Sequence, residues 1–177
     1  IATGAASEVA GRLAPLIPQV WESEVESLKG DLRGWLREVA QWSSGWRPLH
    51  SELSFGIPLE PGHDPASRPE PVVTEGFQLR GSIDLVETQG RNLRVTDHKT
   101  GRFPEERVEF VGGGRYLQPL LYALAAEEML GRRVQTGRLH YYKTRVGYQT
   151  IQVAVNDLSR EKIRKVRSPI DQYALSA

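Results

Sequence analysis

From Val20 onward, Trp21, Val25, Leu28, Leu32, Trp35/Leu36 and Val39 recur at three- and four-residue steps. That spacing lines one face of a helix. Pro18 suits a first helical turn and Ser43-Ser44-Gly45 an end, so the pattern predicts a helix over 17–42 whose stripe packs on the core. The period then falls to two. Leu49 to Ile57 reads as a strand. Phe77, Leu79, Ile83 and Leu85 alternate with Gly81 in step, predicting one strand from Phe77 to Glu87. A turn at Gly90-Arg91-Asn92 leads into another strand, Leu93 to Lys99. Between the first two strands, Pro58, Pro61, Pro65, Pro69 and Pro71 mark a surface loop, in which His63-Asp64 reads as loop chemistry and His50 as an ordinary strand-end residue. Helical spacing returns over Tyr116–Leu130, with Leu117, Leu120, Leu121, Leu124 and Ala125 buried. Arg138–Thr144 and Tyr148–Val155 predict a hairpin about Arg145-Val146-Gly147, and Asn156-Asp157 caps a closing basic helix over 157–167. This order of elements is α/β: a mixed β-sheet flanked by helices.

A chain of 177 residues is expected to form a single domain with a full core, here placed at 49–155. The only methionine is Met129, so the chain reads as a piece of a longer protein. No apolar run is long enough for a membrane span, and no membrane partner is expected. The absence of cysteine suits a reducing compartment, and a cytoplasmic location is expected. With a net charge of +1, a nucleic-acid partner has to be met by local basic patches.

The candidate chemistry sits on the two central strands. Alternation puts Asp84 on one face with Gln78, Arg80 and Ser82, and puts Asp97 on one face with Lys99. A hairpin brings Asp84 beside Asp97 with Lys99 as next neighbour. Two carboxylates held together repel, and a divalent cation resolves the conflict. Oxygen ligands suit Mg²⁺ or Mn²⁺. A lysine beside them can orient a metal-bound water and stabilise charge on a phosphate, so the set suits metal-assisted hydrolysis of a phosphodiester. On the following helix Gln118 and Tyr122, at i and i+4, share a face.

The ordered set Gly81-x-Ile83-Asp84, Val95-x-Asp97-x-Lys99-Thr100-Gly101 and Gln118-x-x-x-Tyr122 resembles the PD-(D/E)xK nuclease superfamily. It is most similar to the RecB-type exonuclease branch, which includes nuclease domains of bacterial helicase-nucleases such as AddB. The resemblance covers roughly Glu52 to Val155. It implies a restriction-endonuclease-like fold and a Mg²⁺- or Mn²⁺-dependent deoxyribonuclease, an exonuclease of recombination and double-strand-break repair. DNA and a helicase domain or subunit are the implied partners. Asp84, Asp97 and Lys99 would be catalytic; Asp84, Asp97 and the His98 backbone carbonyl would hold metal, with the His98 side chain pointing away. Gln118 and Tyr122 would hold DNA. Glu52 matches a glutamate that often opens the first strand, and reads equally as a salt-bridged edge residue. Two departures stand out. No histidine precedes His50, where many relatives carry a metal ligand, and no cysteine is present for an iron-sulfur cluster. Both put activity of this piece alone in doubt more than its fold. The alternative reading is a catalytically silent copy serving as a DNA-binding or scaffold module.

Other features admit two readings. Tyr141 and Tyr142 suit base stacking or cross-strand packing. Phe103–Gly114, with Gly112-Gly113-Gly114, suits a substrate-gated loop or a plain linker. Arg160, Arg164 and Arg167 align on one face, fit to follow a phosphate backbone or to be solvated.

Overall fold

The computed structural model describes residues 4, 9, 18–42, 45–101, 103, 117–142 and 147–174, with side chains through residue 165 of the last helix. Most of the Phe103–Gly114 connection, the turn residues Arg145 and Val146 and the Arg167 side chain lie outside that set. Helix α1 is Pro18–Trp42, followed by strands β1 (Arg47–Phe55), β2 (Val72–Thr74), β3 (Phe77–Leu79), β4 (Gly81–Gln89) and β5 (Asn92–Lys99). Helix α2 (Leu117–Leu130), β6 (Val134–Tyr141), β7 (Thr150–Ala154) and α3 (Asp157–Ala174) complete the chain. Five strands form one sheet in the order β1-β4-β5-β6-β7, and β2 and β3 form a separate pair. Only the β5–β6 pairing within the large sheet is parallel, because α2 carries the chain back between them.

The strand expected from Phe77 to Glu87 is in fact two. Arg80 interrupts it: β3 pairs back on β2, while β4 pairs with β1. Glu75 and Gly76 both take positive φ (48° and 79°), the backbone that closes a two-residue hairpin with the right twist. That hairpin turns the chain away from the large sheet before Gly81 rejoins it. The strand expected from Arg138 also begins earlier, at Val134, and the closing helix runs past 167 to Ala174. Asn156 and Ser159 cap it reciprocally, each side-chain oxygen accepting the other's main-chain amide at 2.9 Å. In the proline loop, Asp64 accepts the Ala66 amide (2.9 Å) and pairs with His50 Nδ1 (3.0 Å), tying the loop to β1.

The core lies under α2. Leu53, Phe55, Ile83, Val86, Leu93 and Val95 pack with Ala123, Ala125, Ala126 and Val134, all essentially inaccessible to water. The helix comes close to the sheet because β6 carries Gly137 where it passes Pro119: a Cβ there would lie 2.2 Å from the Pro119 carbonyl oxygen. Pro119 itself falls in the first turn, where its missing N–H has no intrahelical partner to lose.

Side chains alternate across the sheet, so Arg138 and His140 of β6 lie opposite Gly137 and Leu139, on the face covered by α1. The expectation that α1 buries its stripe holds only in part: Trp21, Val25, Leu32 and Trp35 are half-buried, whereas Leu28, Leu36 and Val39 are exposed. The reason is the sheet beneath, which is polar. Glu87 accepts two hydrogen bonds from Arg94 (2.6 Å each) and one from Arg138 (2.8 Å), and Arg138 also donates to Thr96 (2.8 Å). Trp35 and Trp46 stand over this network, with the Arg94 guanidinium 4.5 Å from the Trp46 ring centre. A cavity of about 320 Å³ remains between the helix and the network. Among the described residues no helix is long and apolar enough to cross a membrane.

Two outcomes follow from this packing. Gly137→Ala forces a backbone shift between β6 and α2, and should cost about 1–3 kcal/mol, read as a melting temperature lower by roughly 3–9 °C. His140 is held neutral: burial first, then the Arg138 charge, lowers its pKa to about 4. The unfolded chain therefore binds a proton near pH 6.5 that the folded one refuses until about pH 4, and stability falls as pH drops through that window. Urea denaturation at pH 7 and pH 5 should show a loss of about 1–2 kcal/mol from this residue. His140→Gln should remove that part of the pH dependence.

Candidate active site

The β4–β5 ladder runs from Gln89↔Asn92 to Leu85↔Thr96 and stops there. Asp84 and Asp97 are the next residues on their respective strands. Where main-chain pairing ends, the Asp84 carboxylate takes over: its Oδ2 accepts the His98 amide at 2.6 Å. The two acids are thus neighbours through the His98 backbone.

Asp97 is only 6% exposed. Its Oδ1 accepts the Gln118 side-chain amide at 2.9 Å, and Gln118 Oε1 in turn accepts Lys99 Nζ at 2.8 Å. Lys99 Nζ also lies 2.6 Å from Asp97 Oδ2, a charge-assisted contact that meets the second oxygen. Gln118 comes from the first turn of α2, the turn that Gly137 allows onto the sheet. Its amide orientation follows from its neighbours, since lysine only donates and a carboxylate accepts. Burial raises the Asp97 pKa, the Lys99 ammonium opposes that rise, and the Asp84 charge adds to it.

His98 sends its ring to the α1 face, away from Lys99. There it meets Trp35 (5.5 Å between ring centres), His140 (6.0 Å) and Tyr142 (6.1 Å), with Nδ1 3.7 Å from Asp84 Oδ2. Burial holds its pKa below the ordinary imidazole value.

The other sequence-derived candidates fall out unequally. Glu52 sits in β1 opposite Asp84 in register, at φ 52°, a left-handed backbone that costs a non-glycine residue about 1–3 kcal/mol. Among the described residues it has no cationic partner, so the salt-bridged reading is set aside; it accepts the Ser82 hydroxyl at 3.3 Å. Tyr122 does not join Gln118. Its ring meets Phe55 edge-on at 6.1 Å and its hydroxyl lies over Gly81, where a Cβ would approach to 3.1 Å. Tyr141 packs against Phe103. Arg160 and Arg164 are engaged: Arg164 binds Glu75 through Nε (2.6 Å) and Nη2 (3.0 Å), and Arg160 binds Glu127 and Glu75. Tyr142 was expected either to stack on bases or to pack across strands, but its grouping with Trp35 and His98 was not foreseen. Trp35 falls on the helical stripe and reads as core, and nothing in the spacing announces that β6 delivers Tyr142 to the same place.

Among the described residues no group of three or more His, Cys, Asp or Glu side chains is placed to hold a metal. The two acids fit a divalent cation on other grounds. Asp97 Oδ2 is a buried carboxylate oxygen met only by Lys99 Nζ, the Asp84 carboxylate adds to its charge, and Mg²⁺ is commonly held by one or two carboxylates while keeping several waters. No curated protein matches the chain at a significant level. The profile of the PD-(D/E)XK nuclease superfamily matches residues 3–175. With that match over nearly its whole length, the chain belongs to the PD-(D/E)XK nuclease superfamily.

Proposed function

We propose that the protein is a metal-dependent deoxyribonuclease of the RecB exonuclease type, working on DNA ends beside a helicase in recombination and double-strand-break repair. The observation that carries this reading is the bridge Asp97–Gln118–Lys99, set one residue from the amide that Asp84 holds. Asp84 and Asp97 would hold Mg²⁺ or Mn²⁺, with the His98 carbonyl as a further ligand. When bound, the ion supplies Lewis acidity toward the phosphate and a more acidic water.

The chain's own residues do the rest. Lys99 donates to Gln118 and leans on Asp97 by charge, which fixes its ammonium; its remaining N–H groups orient the attacking water and meet charge developing on the phosphate. Gln118 holds Asp97 and Lys99 at a set separation. Asp84 keeps the main chain at His98 in place. Tyr122, bonded to neither Gln118 nor the acids, would contact the strand from its position over Gly81, and Glu52 would face the same end of the sheet.

A second reading rests on the metal ligands. With only two acids available among the described residues, a silent scaffold that binds DNA without cutting it would show the same fold.

Calorimetric titration of Mn²⁺ separates the two, run beside cleavage of end-labelled linear DNA. Saturable binding lost in Asp97→Ala, with cleavage lost in parallel, is expected of the nuclease. Lys99→Ala should keep metal binding and lower cleavage roughly 10²–10³-fold. Metal binding unchanged by Asp97→Ala would overturn the site assignment. Gln118→Ala strips Asp97 Oδ1 of its donor, and the unsatisfied buried group should cost about 1–3 kcal/mol of stability. Cleavage should fall with it, whereas Tyr122→Phe should melt with the parent protein.

A further inference from the structure

Behind Asp84, on the α1 face, a cleft of about 210 Å³ is lined by Leu32, Trp35, His98 and Tyr142. Its volume is below the roughly 300 Å³ at which sites for drug-sized ligands begin, so it suits one ring system and not a whole nucleotide. The three aromatic rings stand at steep angles to one another, 88° between Trp35 and His98 and 57° between Trp35 and Tyr142. None of these pairs is stacked face to face. The cleft also adjoins the candidate chemistry: His98 Nδ1 is 3.7 Å from Asp84 Oδ2, and the His98 amide is the group Asp84 holds. At the far wall, the Tyr142 amide donates to the Lys99 carbonyl at 3.4 Å, so the wall is fastened to the strand that carries Asp97 and Lys99.

We infer that this cleft receives one unpaired base of the DNA strand, next to the phosphate presented to Asp84 and Asp97, with Trp35 and Tyr142 as its stacking surfaces. The inference rests on the nuclease reading for the identity of the strand and extends it to the substrate class. A base inside a duplex is stacked and paired and has no way into such a cleft, whereas a splayed base at a frayed or single-stranded end does. Because every base offers a π-face, the cleft tolerates sequence and selects for an unpaired end.

The test uses the 177-residue chain and single-stranded oligonucleotides with 2-aminopurine, or an abasic residue, at the terminal or the next position, without added metal. Binding should quench 2-aminopurine at one of these positions. Trp35→Ala and Tyr142→Ala should abolish the quench and weaken binding roughly 10-fold, while Tyr142→Phe keeps both. An abasic residue at that position should weaken the parent protein by a similar factor and leave the two alanine variants unchanged. Circular dichroism and melting of each variant separate this effect from misfolding. Equal affinity of the parent protein for abasic and intact strands would overturn the inference, and metal-dependent cleavage persisting in that case would leave the nuclease reading standing. Abasic-sensitive binding without cleavage under Mg²⁺ or Mn²⁺ would overturn the nuclease reading and keep the cleft.

Discussion

A carboxylate withdrawn from water has to be compensated, and the surroundings of Asp97 read as the means of doing so. Its position on a central strand, beneath the start of α2, removes solvent from both oxygens. One is met by an amide from α2 and the other only by the charge of Lys99. These partners are not local. Gln118 reaches the strand because the first turn of α2 presses on β6 at Gly137, where no side chain intervenes. The packing of a helix on a sheet thus sets the distance between an acid and a base that the chain itself separates by one residue.

The network on the other face of the sheet follows a different rule. Glu87, Arg94, Arg138 and Thr96 satisfy one another almost completely, with two guanidinium groups on a single carboxylate. Burial lowers the Arg138 pKa to about 10, so the group keeps its charge at neutral pH. Burying these ions offsets much of their attraction, so the cluster stabilises the fold less than its short contacts suggest. It also gives α1 a polar floor, over which Leu28 and Leu36 stay more than half exposed.

Much of this was legible in the sequence. Alternation located β1, β4 and β5, and helical spacing located α1 and α2. The order of acids, lysine and glutamine on those elements pointed to the superfamily. What escaped had physical reasons. The break at Arg80 depends on a turn at Glu75-Gly76 that leaves the apolar alternation on either side intact. The exposure of α1 is invisible to a moment argument, which reports that a helix has an apolar side but not what lies under it. Ion pairs between distant elements, such as Arg160 with Glu127, have no sequence period at all. The pairing of Gln118 with Asp97 and Lys99 depends on one close approach, and only Gly137 carries a trace of it.

The arginines of α3 show how geometry redirects a sequence feature. As a row on a helix face they suggest an electrostatic rail for a polyanion. In the folded chain, Arg164 closes onto Glu75 at the tip of the small hairpin and Arg160 onto Glu127 of α2. The last helix is therefore a clasp joining three parts of the chain. A guanidinium already held by a carboxylate of its own chain neutralises a phosphate poorly and so releases few of the counterions condensed on a nucleic acid. Arg160 and Arg164 would consequently add little to the ionic-strength dependence of any association through this helix, because their charges were spent in folding.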